Sequence, residues 1–165
     1  MCNLILMMGI PGSGKTTIAK KLFNSHRDCY ISRDEVRFSI ISDEEEYFSK
    51  ENQVFAEFVK RINDAILTTP RFVVADATHL NMKSRHKLLS QIKNKIDGIY
   101  IIYVDVPINT ALDRNNHREG RSKVPETAIR NMWNSIQFPQ VNEGIDGVFV
   151  FNENGLLDIE KTIFF

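Results

Sequence analysis

The chain has 165 residues, of which 42% are hydrophobic and 25% are charged, and its formal net charge is zero. That length favours a single domain with one substantial core, and the neutral balance gives no support to a protein that coats nucleic acid nonspecifically. No apolar run is long enough to span a membrane. The two cysteines, Cys2 and Cys29, give no disulfide framework and lack the spacing of a zinc site.

The first predicted strand, Leu4–Met8, leads into the sequence Gly-Ile-Pro-Gly-Ser-Gly-Lys-Thr at positions 9–16. This is the P-loop motif G-x-x-x-x-G-K-[ST], in the strand–loop–helix setting that the motif requires. Lys15 is predicted to reach the β- and γ-phosphates of a nucleoside triphosphate, and the Thr16 hydroxyl to bind Mg²⁺. We expect the triphosphate to be ATP. The residues predicted to cradle it are Gly9, Ile10, Pro11, Gly12, Ser13, Gly14, Lys15, Thr16 and Thr17.

Four more strand-like runs follow, each short, rich in β-branched or aromatic residues and largely without polar alternation. They cover Cys29–Ile31, Phe72–Ala75, Ile99–Val104 and Gly147–Phe151. Helical spacing lies between them, within about 50–67, around 88–92 and over 111–117, and Pro125 suits the first turn of a further helix. This alternation predicts a three-layer α/β/α fold with a parallel sheet of four to five strands, formed as one domain over residues 1–165.

Ligands of such sheets bind at the carboxyl ends of the strands, so the residues there are candidates for chemistry. Asp34 follows the second strand, where its carboxylate is either a general base for an acceptor hydroxyl or only the N-cap of the next helix. Arg37 lies one helical turn further on. It is expected either to hold an acceptor phosphate or to form a surface salt bridge with Glu35 or the acidic run at 43–46.

Asp76 follows the third strand, where a Walker B acid would lie. It is expected either to act near Mg²⁺ or to tie its loop to the P-loop, and Thr78 to bind the acceptor or water. His79 is predicted to stabilise this loop or to contact the acceptor, because no second ligand at metal-binding spacing accompanies it. Three basic residues beyond the loop are expected to contact the phosphates of a polyanionic acceptor, namely Lys83, Arg85 and Lys87.

A basic segment lies between two predicted helices at about 114–125 and carries Arg114, Arg118 and Arg121 among small residues. Arg114 and Arg118 are expected to bind the triphosphate when this lid segment closes, excluding water and neutralising charge on the transferred group. The alternative is an exposed basic loop.

Together these motifs resemble those of the bacteriophage-type 5′-hydroxyl polynucleotide kinases and of the small P-loop kinases related to them. The matching stretches, in the family's order, are the P-loop, Ser-Arg-Asp-Glu-Val-Arg at 32–37, Asp-Ala-Thr-His-Leu-Asn at 76–81 and Arg-Asn-x-x-Arg at 114–118 with Val124-Pro125. Two departures are a gap from Arg118 to Val124 that is one residue longer than the phage pattern, and Ala77 in the third motif.

The resemblance implies a single P-loop kinase domain with a short helical lid. It implies that Asp34 is the general base and that Arg37 binds the 3′-phosphate of the acceptor. It also implies that Arg118 contacts the donor phosphates and stabilises the transition state, and that Thr78 lines the acceptor site. From the residues themselves, Asp76 is a further candidate for binding the acceptor, and Lys15 is expected to act with Arg118 in the transfer.

The function expected from these motifs is ATP-dependent phosphorylation of the 5′-hydroxyl of DNA or RNA with Mg²⁺, in the cytoplasm (that of the host, if a phage encodes the chain). A phosphatase or ligase partner would be a separate protein, and no membrane partner is expected. One alternative is a small-molecule or modified-base kinase, whose acceptor would be a nucleoside, a sugar nucleotide as in zeta-toxin-like kinases, or a hydroxymethylated base in DNA. A second is a non-catalytic ATP-binding module.

Overall fold

The computed structural model describes residues 1–24 and 26–165. The described strands are β1 (Asn3–Met8), β2 (Cys29–Ser32), β3 (Phe72–Asp76), β4 (Gly98–Val104), β5 (Gly147–Phe151) and β6 (Leu157–Phe164). The α-helices are α1 (Lys15–Leu22), α2 (Arg33–Ile40), α3 (Glu51–Leu67), α4 (Met82–Leu89), α5 (Ile108–Asn116) and α6 (Glu126–Asn134). Short 3₁₀ turns occupy Gly120–Ser122 and Val141–Glu143.

These strands form one sheet in the order β2-β3-β1-β4-β5-β6. The first five pair in parallel, so that Leu6 of β1 lies opposite Ala75 and Ile101, and β6 pairs with β5 in antiparallel orientation. The predicted α/β P-loop fold is confirmed, and its five predicted strands match β1–β5 to within one residue at each end. The sixth strand was not predicted because it is a largely exposed edge strand with charged residues at 158, 160 and 161, and so lacks a buried apolar run.

Helices cover both faces of the sheet and make two separate apolar cores. Along β1, Leu4, Leu6 and Met8 pack into the core that α3 and α4 cover, whereas Ile5 and Met7 pack into the core that contains α1, α5 and α6 residues. Because both faces are buried, β1 is apolar throughout from Leu4 to Met8. Within the described part of the chain, no helix combines the length and the apolar character that crossing a membrane would require.

Candidate functional site

The P-loop joins β1 to α1 and lies close against the backbone of α5. Gly9, Gly12 and Gly14 all have positive φ, which lets the loop turn around a central space. A Cβ atom on Gly12 would lie 2.3 Å from the carbonyl oxygen of Ala111, so no side chain fits there. The loop therefore keeps its shape partly because α5 supports it from behind.

This close packing predicts a loss of stability for Gly12→Ala. The left-handed conformation costs a non-glycine residue about 1–2 kcal/mol, and overpacking against Ala111 adds about 1–3 kcal/mol. Gly120→Ala is the matched control, because Gly120 also has positive φ but nothing lies within 4 Å of its Cβ position. Urea denaturation should show a clearly larger fall in the free energy of unfolding for Gly12→Ala. Equal losses in the two variants would contradict the close packing.

Lys15 reaches back across the mouth of the P-loop, where its Nζ atom donates to the carbonyl oxygen of Ile10 at 3.0 Å. Burial lowers the pKa of this ammonium group, and the neighbouring carboxylates of Asp76 and Asp34 oppose the shift. Arg118 lies close enough to lower the pKa of Lys15 further by charge repulsion. Two cations thus share the space in front of the P-loop, and this space suits a strongly anionic ligand.

Asp76 ends β3 as a buried carboxylate beside the first turn of α1. One of its oxygens, Oδ2, accepts hydrogen bonds from the Thr16 hydroxyl at 2.9 Å and from the Tyr30 hydroxyl. Burial, with the nearby charge of Asp76, raises the pKa of Tyr30, so this phenol stays protonated as a donor. Tyr30 was not predicted as a site residue, since only the pairing of β2 with β3 brings it to Asp76.

Thr16 and Asp76 together fit the ligand set that Mg²⁺ prefers, a hydroxyl and a carboxylate at the edge of an anion cradle. No group of three or more His, Cys, Asp or Glu side chains able to hold a metal ion occurs within residues 1–24 and 26–165. A magnesium ion at this place would therefore depend on the phosphates of a bound nucleotide for most of its ligands.

Asp34 lies in the first turn of α2 but does not cap it. Ser32 is the N-cap, and its hydroxyl accepts from the backbone N–H of Glu35 at 3.3 Å. The side chain of Asp34 is 56% exposed and lines the same cleft as the P-loop. Its Oδ1 atom accepts from Arg37 Nη1 at 2.6 Å and from the Tyr47 hydroxyl at 2.5 Å. The N-cap alternative for Asp34 is therefore wrong.

Arg37 is buried in a cage of acidic and aromatic side chains. Glu51 accepts from its Nη2 at 2.6 Å and from its Nε at 3.1 Å, and the Tyr47 ring lies 4.2 Å from the guanidinium carbon. The second oxygen of Glu51 pairs with Arg33 at 2.7 Å. Each nitrogen of the Arg37 guanidinium thus has an internal partner, and the salt bridges run to Glu51 and Asp34 rather than to Glu35 or the acidic run.

One cleft brings most of the predicted site residues together. Those that line it are Pro11, Gly12, Gly14, Lys15, Thr16, Thr17, Asp34, Arg37, Asp76, Thr78 and Arg118. The cleft also contains Tyr47, Phe48 and Glu51, which the sequence analysis did not select. Gly9, Ile10, Ser13 and Arg114 lie in or behind the P-loop wall and do not line the cleft.

The lid segment is attached at both ends. Asn115 is buried and exchanges two hydrogen bonds with the backbone of Val124, at 2.8 and 3.0 Å. Arg118 lines the cleft, whereas Arg114 donates to the carbonyl oxygens of Ser13 and Glu153, at 3.2 and 2.8 Å, outside it. Arg121 turns away to pair with Asp43 at 2.6 Å. Of the three arginines, only Arg118 faces the space in front of the P-loop.

The loop after β3 is stabilised by buried side chains. His79 is buried, its Nδ1 lies 2.8 Å from the carbonyl oxygen of Met7, and burial lowers its pKa to about 4. It therefore stays neutral and holds the loop against β1, one of the two roles predicted for it. Asn81 caps α4 by accepting from the backbone N–H of Ser84 at 2.9 Å.

The prediction that Arg85 contacts acceptor phosphates is wrong. Its side chain is 0% exposed, and its Nε and Nη2 atoms donate to the two carboxylate oxygens of Glu143 at 2.6 and 2.7 Å. The remaining nitrogen, Nη1, donates to the carbonyl oxygens of His79 and Gln137 at 3.0 Å each. Arg85 is thus a structural residue that joins α4 to the loop after β3 and to the 3₁₀ turn at Val141–Glu143.

A family model described as an AAA domain matches residues 4–139, and no curated protein matches the chain significantly. A sugar kinase from Janibacter sp. HTCC2649 is 14% identical, with a TM-score of 0.63 over 93% of this chain and 87% of that one. Chaetomium thermophilum Kti12 in complex with ADP-AlF3 is 19% identical, with a TM-score of 0.67 over 90% and 88% of the two chains.

A chain of the Pnkp1/Rnl/Hen1 RNA repair complex is 20% identical to this one, with a TM-score of 0.67. The match covers 82% of this chain but only 44% of that one. At such identities these likenesses show the fold alone, which is that of the P-loop kinases.

Proposed function

Because the chain belongs to the AAA domain family and has the P-loop kinase fold, we propose that it transfers the γ-phosphoryl group of ATP to the 5′-hydroxyl of DNA or RNA. The observation that carries this proposal is the position of Asp34. Its carboxylate is exposed in the same cleft as Lys15 and Thr16, and two donors fix one of its oxygens. Phosphoryl transfer to a hydroxyl group needs a phosphate-binding loop, a carboxylate that is held in place and a cation near the transferred group. Here the cation would be Arg118.

In the proposed reaction, the acceptor hydroxyl attacks the γ-phosphorus while the bond to the β,γ-bridging oxygen breaks and ADP leaves. The free oxygen of Asp34 orients this hydroxyl and takes its proton as the new bond forms. Lys15 and Arg118 balance the negative charge that develops on the transferred group. Mg²⁺, which Thr16 and Asp76 would hold with the donor phosphates, neutralises part of the phosphate charge when bound.

An aromatic wall beside Asp34 favours an acceptor that carries a base. Tyr47 and Phe48 form an edge-to-face pair with ring centroids 4.7 Å apart, and both line the cleft. Phe48 is 42% exposed, so one ring surface is open to a ligand. Stacking of a nucleobase on such a ring is a common way of holding a single-stranded nucleic acid, whereas an acceptor without a base gains little there.

A second candidate function is phosphorylation of a small molecule or a modified base, and the cage around Arg37 favours it. Since four of its five guanidinium N–H groups are already bonded to Glu51, Asp34 or Tyr47, a 3′-phosphate could form a bidentate pair with Arg37 only by displacing one of these partners. An acceptor without that phosphate would leave the cage intact. A contact between Arg37 and the 3′-phosphate of the acceptor belongs only to the proposed phosphorylation of DNA or RNA.

The deciding experiment measures transfer of labelled γ-phosphate from ATP with Mg²⁺ to a panel of acceptors. The panel contains 5′-hydroxyl DNA and RNA oligonucleotides, a nucleoside 3′-monophosphate, free nucleosides and sugar nucleotides, with Asp34→Ala as the inactive control. Label at the oligonucleotide 5′ end is expected. Label only on a small molecule would favour the small-molecule kinase over the polynucleotide kinase. ATP binding without any transfer of label would contradict both functions.

The hydroxyl of Tyr47 gives a further prediction about how Asp34 is held. Tyr47→Phe keeps the ring but removes a hydrogen bond to a charged group, of a kind worth about 1.5–3 kcal/mol. Since Arg37 still holds Asp34, we expect kcat to fall about tenfold with little change in KM for ATP. Tyr103→Phe is the matched control, because it removes a hydroxyl–carboxylate bond to Asp105, outside the cleft. An unchanged kcat for Tyr47→Phe would show that this bond does not position the base.

A further inference from the structure

The exposed face of α4 carries positive charge that the reaction described above does not use. Residues 82–95 include five lysines and arginines and no acidic residue. Arg85 is buried with Glu143, but Lys83 and Lys87 are exposed. They are four positions apart, so their side chains lie on one face of the helix, about 6 Å apart at Cβ.

Phe55 connects this face to the cleft. The Lys87 ammonium lies 4.3 Å from the centre of the Phe55 ring, and the Arg33 guanidinium carbon lies 5.7 Å from the same centre. Arg33 in turn lines the cleft next to Asp34. One aromatic ring, flanked by Lys87 and by Arg33, whose charge Glu51 balances at 2.7 Å, therefore leads outward from the acceptor side of the cleft. We call the row formed by Arg33, Phe55, Lys87 and Lys83 the α4 track.

The start of α4 also lies near the cleft. Thr78 lines the cleft, and Asn81, three residues later, caps the helix. Lys87 lies beside Phe55, and Lys83 is one turn nearer the start of α4, in a hollow that Gln137 and Glu143 also line. A ligand that leaves the cleft past Phe55 meets Lys87 first and Lys83 next. Regularly spaced negative charges are the chemistry that such a row complements.

On the basis of the proposed function, we propose that the α4 track binds the single strand that follows the accepted 5′-hydroxyl, with its phosphates against Lys83 and Lys87. A 5′ end at Asp34 must leave the rest of the strand outside the cleft, and this basic row starts at the edge of the cleft. A nucleoside, a mononucleotide or a sugar is too short to reach it. The track thus makes the enzyme select a polynucleotide over a monomer.

The test compares the wild type with the double variant Lys83→Gln/Lys87→Gln on a 5′-hydroxyl dinucleotide and on a long single-stranded oligonucleotide. We expect kcat/KM for the long acceptor to fall about tenfold or more at low salt, and that for the dinucleotide to stay within about twofold. Each phosphate contact on a single strand contributes about −0.7 to the slope of log affinity against log salt. Loss of two contacts should therefore make the slope for the long acceptor about 1.4 less negative.

The matched control is Lys20→Gln/Lys21→Gln, which removes the same charge from α1. Both lysines are exposed, and α1 packs against the face of the sheet opposite to α4, because Ile18 and Leu88 belong to different cores. The control should leave the salt slope unchanged. An equal change in both double variants would show an effect of net charge and would overturn the track.

The experiment distinguishes a wrong assignment of the α4 track from a wrong proposed function. If the wild type phosphorylates oligonucleotides and the α4 variant does so with the same kcat/KM and salt slope, the track is wrong and the function stands. If the wild type phosphorylates only small acceptors, the proposed function is wrong, and the track is wrong with it. This second outcome appears in the wild type before any variant is compared.

Discussion

Lys15→Ala is expected to lower the rate of phosphoryl transfer by at least about 10²–10³-fold, the cost of removing one preorganised group that stabilises developing charge. The Nζ atom of Lys15 lies at the mouth of the P-loop, 3.0 Å from the carbonyl oxygen of Ile10. Burial lowers the pKa of Lys15, and the carboxylates of Asp76 and Asp34 oppose this shift. Alanine removes the side chain altogether and leaves the transferred charge partly uncompensated.

The measurement for this prediction is single-turnover transfer from labelled ATP, together with calorimetric ATP affinity. Lys20→Ala is the matched control, since Lys20 is an exposed lysine of the same helix at a distance from the loop. The control should retain wild-type rates. Near-normal turnover of Lys15→Ala would show that this lysine does not contact the donor phosphates.

Asp34→Asn is expected to lower kcat by about 10²–10⁴-fold, the usual contribution of a general base. Asparagine keeps an oxygen that can accept from Arg37 and Tyr47, so the cleft retains its shape, but it cannot take the proton of the acceptor. ATP affinity should stay close to that of the wild type. Since Ser32 caps α2, the fold loses only the interaction of one carboxylate with the helix dipole, about 0.3–1 kcal/mol, and the charge of the partly exposed ion pair with Arg37, about 0.2–1 kcal/mol.

Glu35→Gln is the matched control for this variant, because Glu35 is an exposed carboxylate in the same first turn of α2 and does not line the cleft. It should lose the same interaction with the helix dipole, and its effect on kcat should be negligible. Equal losses of kcat in the two variants, or a parallel loss of ATP binding in Asp34→Asn, would contradict a proton-accepting role.

The sequence predicted the parts of the fold that depend on local patterns. Five buried strands and the P-loop have strong signatures because an apolar run or a glycine spacing is sufficient to define each of them. The edge strand β6 has no such signature, since it is largely exposed and forms by pairing with β5. The N-cap of α2 could not be predicted for a similar reason. Ser32 and Asp34 are both good N-cap residues, and only the backbone conformation at 32–33 decides where α2 begins.

The residues that support the site were harder to predict because their partners are distant in sequence. Tyr30 meets Asp76, which is 46 residues away, and Glu51 meets Arg37, which is 14 residues away. Neither contact follows from spacing along one element. Arg85 did carry a signal: it lies three positions before the buried Leu88 and therefore on the apolar face of α4, unlike Lys83 and Lys87.

The hydrogen bonds between Asn115 and Val124 close the basic segment into a short loop held at both ends. Because both ends of this segment are held, its short span limits how far Arg118 can move from the space in front of the P-loop, which it already faces. If the chain transfers a phosphoryl group as we propose, Arg118 would reach that group by a small movement of one loop and not by closure of a whole domain.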